Sequence, residues 1–147
     1  MDVTSALDAP CAPEQLFDWI DNLALYPSWL EIVKRAVATE GADGDAGPAW
    51  AVDLRARLGP LARSKRLRMV RTTCDAPSFV RFERAELDGR SHSPWVLEGS
   101  VEETNDGSRL TMRLHYGGTR FGLPLERLLR DEIARSRPRL LALIAGG

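Results

Sequence analysis

Residues 16–33 read LFDWIDNLALYPSWLEIV, and this stretch determines how the rest of the chain is interpreted. Its first half carries apolar side chains at helical spacing, namely Leu16, Phe17, Ile20 and Leu23. Proline lacks an amide hydrogen and disfavours helical angles at the residue before it, so we predict two short helices that break at Tyr26–Pro27. We expect the apolar stripe to continue in the second helix through Trp29, Ile32 and Val33.

One strand precedes this helix pair, and a ladder of strands follows it. The first strand is predicted at Val3–Ala9, and residues 41–48 (GADGDAGP) are predicted to form a turn-rich loop. Beyond them the apolar period changes to two in five successive runs, at residues 50–58, 67–69, 80–82, 95–101 and 110–116. Because the connections are short, we predict an antiparallel meander with one apolar face and one polar face.

A long amphipathic helix closes the chain and supplies a cover for the apolar face. It is predicted to start near Pro124, with a kink or a restart at Pro138. We therefore predict an α+β fold in which residues 1–147 form one domain. In this fold a curved antiparallel sheet of about six or seven strands carries two short helices after its first strand, and the C-terminal helix packs over a cavity.

Composition excludes several classes of protein. The formal net charge is -1, so no global attraction to nucleic acid or to a membrane is implied. No apolar run approaches the roughly 18 residues of a membrane span, and no signal-peptide pattern is present, so we expect a cytoplasmic protein without a transmembrane segment. Two cysteines and two distant histidines indicate neither a disulfide framework nor a zinc site, and we expect no metal or cofactor.

Large apolar side chains share the inner face of the predicted sheet. They either fill a solid core or line a cavity, and the sequence leaves both interpretations open. The candidate ligand-binding residues of this kind are Trp29, Leu54, Met69, Phe82, Trp95, Leu97, Met112, Leu114, Leu125, Leu129 and Ile133.

Three polar side chains are predicted to share that inner face. Strand alternation places Arg71 with Met69 and Arg84 with Phe82, unless a β-bulge resets the alternation. An unpaired buried charge costs several kcal/mol, so each arginine must reach the rim, find a carboxylate or meet an anionic head group. Tyr116 is the third candidate, as a hydrogen-bond donor to a carbonyl.

The outer face of the predicted sheet carries a basic stripe, formed by Arg55, Arg57, Arg66 and Arg68. It is either a solvated strand face or a docking patch for an anionic partner. No nucleophile elbow or triad pattern is present, and both histidines are interpreted as surface or rim residues. Catalytic residues therefore stay unassigned.

With these elements in place, the chain resembles the START-related helix-grip superfamily, and more closely its polyketide cyclase/dehydrase and lipid-transport group. Three segments carry the resemblance: residues 9–30, which contain the YPSW segment, FVRFERAELDGR at 79–90, and SRLTMRLHYGG at 108–118 before the closing helix. The resemblance implies a deep cavity between sheet and C-terminal helix for an apolar or aromatic ligand. It does not imply one activity, because such folds host several functions.

Three hypotheses follow. The first is binding or transport of a hydrophobic small molecule, such as a lipid or a polyketide-like compound. The second is a polyketide aromatase or cyclase that acts on a carrier-bound poly-β-ketone. In that case the basic stripe would dock an acidic acyl carrier protein, and Tyr116 and Arg84 would polarise ketone oxygens. The third is an interaction module that docks an anionic membrane or protein through the basic stripe.

Overall fold

A computed structural model describes residues 1–58, 60–117 and 122–146, with the side chains in these ranges except those of residues 57, 58, 61 and 122–125. Two helices follow the first strand, six further strands come next, and a long helix ends the described chain. In order they are β1 (Asp2–Ala9), α1 (Pro13–Phe17), a 3₁₀ helix (Leu23–Ser28), β2 (Val33–Thr39), β3 (Ala49–Leu58), β4 (Leu61–Asp75), β5 (Phe79–Arg84), β6 (Trp95–Thr104), β7 (Gly107–Tyr116) and α2 (Gly122–Gly146).

The seven strands form one antiparallel sheet in the order β1-β7-β6-β5-β4-β3-β2. Strands β2 to β7 make a continuous meander, and β1 pairs with β7 from Asp2 opposite His115 to Ala9 opposite Ser108. Helix α1 packs against β6 and β7, the 3₁₀ helix against β2 and β3, and α2 against β1 and β3. This topology confirms the predicted α+β helix-grip fold.

The predicted position of the helix break is wrong. The chain leaves α1 after Phe17, and Pro27 lies inside the 3₁₀ helix. Asn22 starts this helix by accepting a hydrogen bond from the Ala24 amide at 3.0 Å. After the proline, the Trp29 amide donates to the Tyr26 carbonyl at 3.1 Å. Because the amides on either side supply the hydrogen bonds, the 3₁₀ helix accommodates Pro27 without a break.

Strand β2 begins at Val33, the last residue of the predicted second helix, and its other residues were assigned to no element in the prediction. Its alternation is obscured by a shift in register between Val33 and Arg35. A β-bulge of this kind places an extra residue in one strand and breaks the period of two that identifies strands in a sequence. The chain does not restart a helix at Pro138, since α2 is a single helix from Gly122 to Gly146 that contains this residue, and the alternative of a kink stays a prediction.

The core lies on the inner face of the sheet, beneath the helices. Its largest fully buried side chains include Trp29, Tyr26, Phe17, Phe82, Leu16 and Ile20. All of these except Phe82, which comes from β5, belong to the segment 16–33. The helical segment after β1 is therefore part of the hydrophobic core, and it forms one wall of the cavity described next.

Candidate ligand cavity

A small cavity lies between the inner face of the sheet, the 3₁₀ helix and α2. Its volume is about 80 Å³. Its wall is formed by Leu23, Tyr26, Trp29, Leu30, Ile32, Val33, Val52, Leu54, Leu67, Met69, Trp95, Leu97, Met112, Leu114, Leu129 and Ile133. Six segments of the chain thus converge on one apolar space.

The described wall carries no charged side chain, and two of its polar atoms are already bonded to the main chain. The Tyr26 hydroxyl donates to the Ile20 carbonyl at 2.8 Å, and the Trp29 indole Nε1 donates to the Trp19 carbonyl at 3.1 Å. Burial raises the pKa of the Tyr26 hydroxyl well above its ordinary value, so this group stays protonated. What the wall offers a guest is apolar surface and shape.

The 3₁₀ helix positions the aromatic part of this wall. Trp29 follows its last residue, and the Tyr26 and Trp29 rings lie 4.8 Å apart between centroids. Only 1% of Trp29 is exposed, and Tyr26 is fully buried. Since both rings are held by packing and by a hydrogen bond, this side of the cavity is preorganised.

The structure brings most of the predicted site residues together on the cavity wall. These are Trp29, Leu54, Met69, Trp95, Leu97, Met112, Leu114, Leu129 and Ile133. The side chain of Leu125 lies outside the described residues. A role in ligand binding stays a prediction for all of them.

Seven further wall residues were missed by sequence reasoning, namely Leu23, Tyr26, Leu30, Ile32, Val33, Val52 and Leu67. Two had a usable signal, because Val52 and Leu67 are register partners on β3 and β4 and share strand alternation with predicted neighbours. Ile32 and Val33 were predicted to continue the apolar stripe that contains Trp29, but as part of a helix, whereas Val33 begins β2.

Two predicted residues lie beside the cavity instead of on its wall. Phe82 is fully buried in the core, where its ring meets Trp50 at 5.6 Å and Tyr26 at 6.2 Å between centroids. Tyr116 stacks on Trp95 at 5.2 Å, and its hydroxyl donates to the Met1 sulfur at 2.7 Å. Burial raises the pKa of the Tyr116 hydroxyl. Neither residue is part of the cavity lining.

The two predicted inner arginines bond to the protein itself. Arg71 pairs with Phe82 in register and donates from Nη1 to the Asp21 carbonyl at 2.9 Å. Arg84 contacts the Glu86 carboxylate at 3.3 Å, and only 9% of its side chain is exposed. Neither residue lines the cavity. The charge of Arg71 is thus partnered by a main-chain carbonyl, and that of Arg84 by a carboxylate. Neither arginine needs a ligand head group as a partner.

The basic stripe is also smaller than predicted. Arg68 is 9% exposed and forms an ion pair with Asp45 at 2.7 Å beneath the loop that joins β2 to β3. Arg66 remains exposed but pairs with Asp53 at 2.7 Å. Arg55 is exposed, and the side chain of Arg57 lies outside the described residues. The covering loop, which the sequence presents only as a turn-rich segment, is what turns Arg68 into a structural residue.

The described residues lack the features of a metal site and of a membrane-spanning helix. They contain no cluster of three or more His, Cys, Asp or Glu side chains that could hold a metal ion. None of the helices formed by those residues has both the length and the apolar character needed to cross a membrane.

Comparison with known proteins gives one match in sequence and several in structure. A model of the family described as polyketide cyclase/dehydrase and lipid transport matches residues 1–140. No functionally curated protein matches the chain. A solved structure of a START superfamily protein from Mycobacterium smegmatis is similar with a TM-score of 0.71, at 11% identity, over 99% of this chain and 97% of that chain.

Two more solved structures show the same arrangement. A protein from Thermus thermophilus is similar with a TM-score of 0.73 at 15% identity, over 99% of this chain and 98% of that one. Major latex-like protein 151 from Panax ginseng is similar with a TM-score of 0.69 at 12% identity, over 97% and 96% of the two chains. At identities this low the similarity shows the fold alone.

Proposed function

Because this chain belongs to the polyketide cyclase/dehydrase and lipid-transport family, we propose that it binds or transports a hydrophobic small molecule, lipid or polyketide-like, in the cavity beneath α2. The observation that carries the proposal is the composition of the wall. All sixteen of its residues are apolar or aromatic. An internal space with such a wall favours apolar guests, because every polar group they bring would lose its water without gaining a partner.

The size of the cavity limits how much of a ligand it can hold. A volume of about 80 Å³ lies well below the roughly 300–1,000 Å³ of sites that enclose drug-sized ligands. We therefore expect the cavity to receive one apolar end of a ligand, while the rest of the molecule stays outside it.

Binding is favoured over catalysis by the position of the polar side chains. A cyclase must polarise ketone oxygens in its substrate, and Tyr116 and Arg84 were the candidates for this role. Both are engaged away from the cavity, by Met1 and by Glu86 respectively. The hypothesis that the basic stripe docks an acyl carrier protein is also weakened, because Arg68 is buried.

Native mass spectrometry of the purified protein, followed by solvent extraction, tests the proposal directly. We expect a mass increment from a copurified apolar compound, or stoichiometric binding when 1-octanol is titrated into the empty protein. A protein that is empty and that binds neither 1-octanol nor larger fatty alcohols would contradict the proposal.

A further inference from the structure

A second concave surface, here called the polar groove, borders the cavity. It has a volume of about 540 Å³ and is lined by Glu31, Ile32, Lys34, Arg55, Ala56, Leu128, Glu132 and Arg135. Ile32 lines both spaces. On β3 the cavity residue Leu54 is followed directly by the groove residue Arg55, and on α2 the groove residue Leu128 precedes the cavity residue Leu129. The two spaces therefore adjoin along the seam between β3 and α2.

The acidic side chains of the polar groove form ion pairs, whereas two of its basic side chains form none within the described part of the chain. Glu31 forms an ion pair with Arg139 at 3.2 Å, and Glu132 forms one with Arg135. Lys34 and Arg55 are exposed, and neither has a carboxylate partner among the described residues. The groove thus presents two cations whose charge is not balanced locally, beside acids that are already neutralised.

The backbone places Lys34 and Arg55 on neighbouring strands at the same corner of the sheet. The Arg55 amide donates to the Ile32 carbonyl at 2.9 Å, which ties β3 to the start of β2. Lys34 lies at the bulge where the register of β2 shifts. Both side chains therefore originate from one fixed corner of the sheet, at the point where the polar groove meets Ile32 and the cavity.

We propose that the ligand is an amphipathic carboxylate, with its apolar end in the cavity and its carboxylate held by Lys34 and Arg55 in the polar groove. This inference rests on the proposed function and specifies the class of ligand. The small cavity takes the apolar end, and the larger groove takes the part that must remain solvated. Arginine and lysine donate charge-assisted hydrogen bonds to a carboxylate, which neutral head groups cannot match.

Lys65 offers a rival position for the head group and thereby a matched control. Its ammonium lies 6.0 Å from the centroid of the Trp95 ring, which lines the cavity. Like Lys34 it is exposed, but it does not line the polar groove. Replacing Lys65 removes the same charge close to the same cavity without changing the groove.

The experiment compares octanoate with 1-octanol, two ligands of equal chain length that differ in head-group charge. Calorimetric titration at neutral pH uses the wild type, the double variant Lys34→Gln/Arg55→Gln, and Lys65→Gln. We expect the double variant to bind octanoate about tenfold more weakly, since two exposed ion pairs each contribute a few-fold in affinity. Binding of 1-octanol should be unchanged in all three proteins, and raised salt should weaken only octanoate binding.

The outcomes separate the two proposals. If neither ligand binds the wild type, the proposed function fails and the head-group site falls with it. If 1-octanol binds but octanoate binding is unaffected by the double substitution, the cavity proposal stands and the head-group site is refuted. Loss of octanoate binding in Lys65→Gln alone would place the carboxylate at the Trp95 rim and would also overturn the proposal. Circular dichroism of each variant verifies that it is folded.

Discussion

Trp29 connects three parts of the molecule through one side chain. Its indole ring packs on Tyr26, lines the cavity, and donates a hydrogen bond to the Trp19 carbonyl in the segment after α1. Because 1% of the residue is exposed, nearly all of this surface is removed from water on folding. The sequence drew attention to Trp29 because it lies two residues after Pro27. In the structure this position places its ring directly after the 3₁₀ helix and on the cavity wall.

Replacing Trp29 with alanine should destabilise the protein by about 3–5 kcal/mol, because a buried aromatic side chain is lost and a cavity is left behind. Chemical denaturation monitored by circular dichroism measures the change. Trp29→Phe is the matched control, since it keeps an aromatic ring and removes the indole donor. We expect it to lose less stability than the alanine variant. A loss below roughly 1 kcal/mol in Trp29→Ala would contradict the buried role.

At the scale of elements, the hairpin between β6 and β7 is held against the end of β1. Gly107 has a φ of 151°, and a Cβ atom at this position would lie 2.2 Å from the Ala9 carbonyl oxygen. The neighbouring Ser108 hydroxyl donates to the Cys11 carbonyl at 2.7 Å. The hairpin therefore fixes the connection through which the chain passes from β1 into α1.

Gly107→Ala should destabilise the protein by about 1–3 kcal/mol, because the new methyl group meets main-chain atoms in a strained conformation. Gly44→Ala is the control, since Gly44 also has a positive φ, 92°, but a Cβ there meets nothing within 4 Å. Urea denaturation of both variants measures the free energy of unfolding. It separates the cost of a positive φ, which both variants share, from the cost of the contact with main-chain atoms, which only Gly107→Ala makes. Equal losses in the two variants would refute the close approach to Ala9.

The loop between β2 and β3 is held against the sheet by several hydrogen bonds of the Arg68 side chain. The Arg68 guanidinium bonds to both carboxylate oxygens of Asp45, at 2.7 and 3.2 Å, and also reaches the Glu40 and Ala85 carbonyls. The Arg68 guanidinium, aided by the Ala42 amide, lowers the pKa of Asp45 below its ordinary value. The ionised form of Asp45 is thus favoured by the folded state.

A carboxyl group whose pKa is lower in the folded than in the unfolded protein stabilises the fold when the pH is above its ordinary pKa. This stabilisation is lost as the pH falls through the pKa of the folded state. Asp45→Asn should therefore be less stable than the wild type at neutral pH, and the difference should shrink below about pH 4. Guanidinium denaturation midpoints at a series of pH values measure it. Asp43→Asn, an exposed acid in the same loop, is the control. A difference that does not depend on pH would mean that the ion pair does not hold the loop.

For the whole molecule, the sequence was informative where one physical signal dominated. Strict alternation predicted five strands of the meander, and the same alternation placed most of the predicted cavity residues on one face. Prediction failed where long-range contacts override local patterns. The bulge in β2 hid a strand, and a loop distant in sequence covered Arg68. The size of the cavity could not be predicted, because it depends on how side chains from six segments interdigitate.

Ligand binding in the cavity should raise the stability of the whole molecule. A ligand that binds only the folded state stabilises it, by about 2.7 kcal/mol at a concentration of roughly 100 times its dissociation constant. 1-Octanol should therefore raise the thermal midpoint of the wild type. In Leu97→Trp the indole should occupy the cavity, cost about 1–3 kcal/mol of stability through overpacking, and abolish the shift. Leu87→Trp is the matched control, because Leu87 is 64% exposed and the substitution adds the same side chain outside the core. We expect it to keep the full shift, and a shift that persists in Leu97→Trp would place the 1-octanol site elsewhere in the molecule.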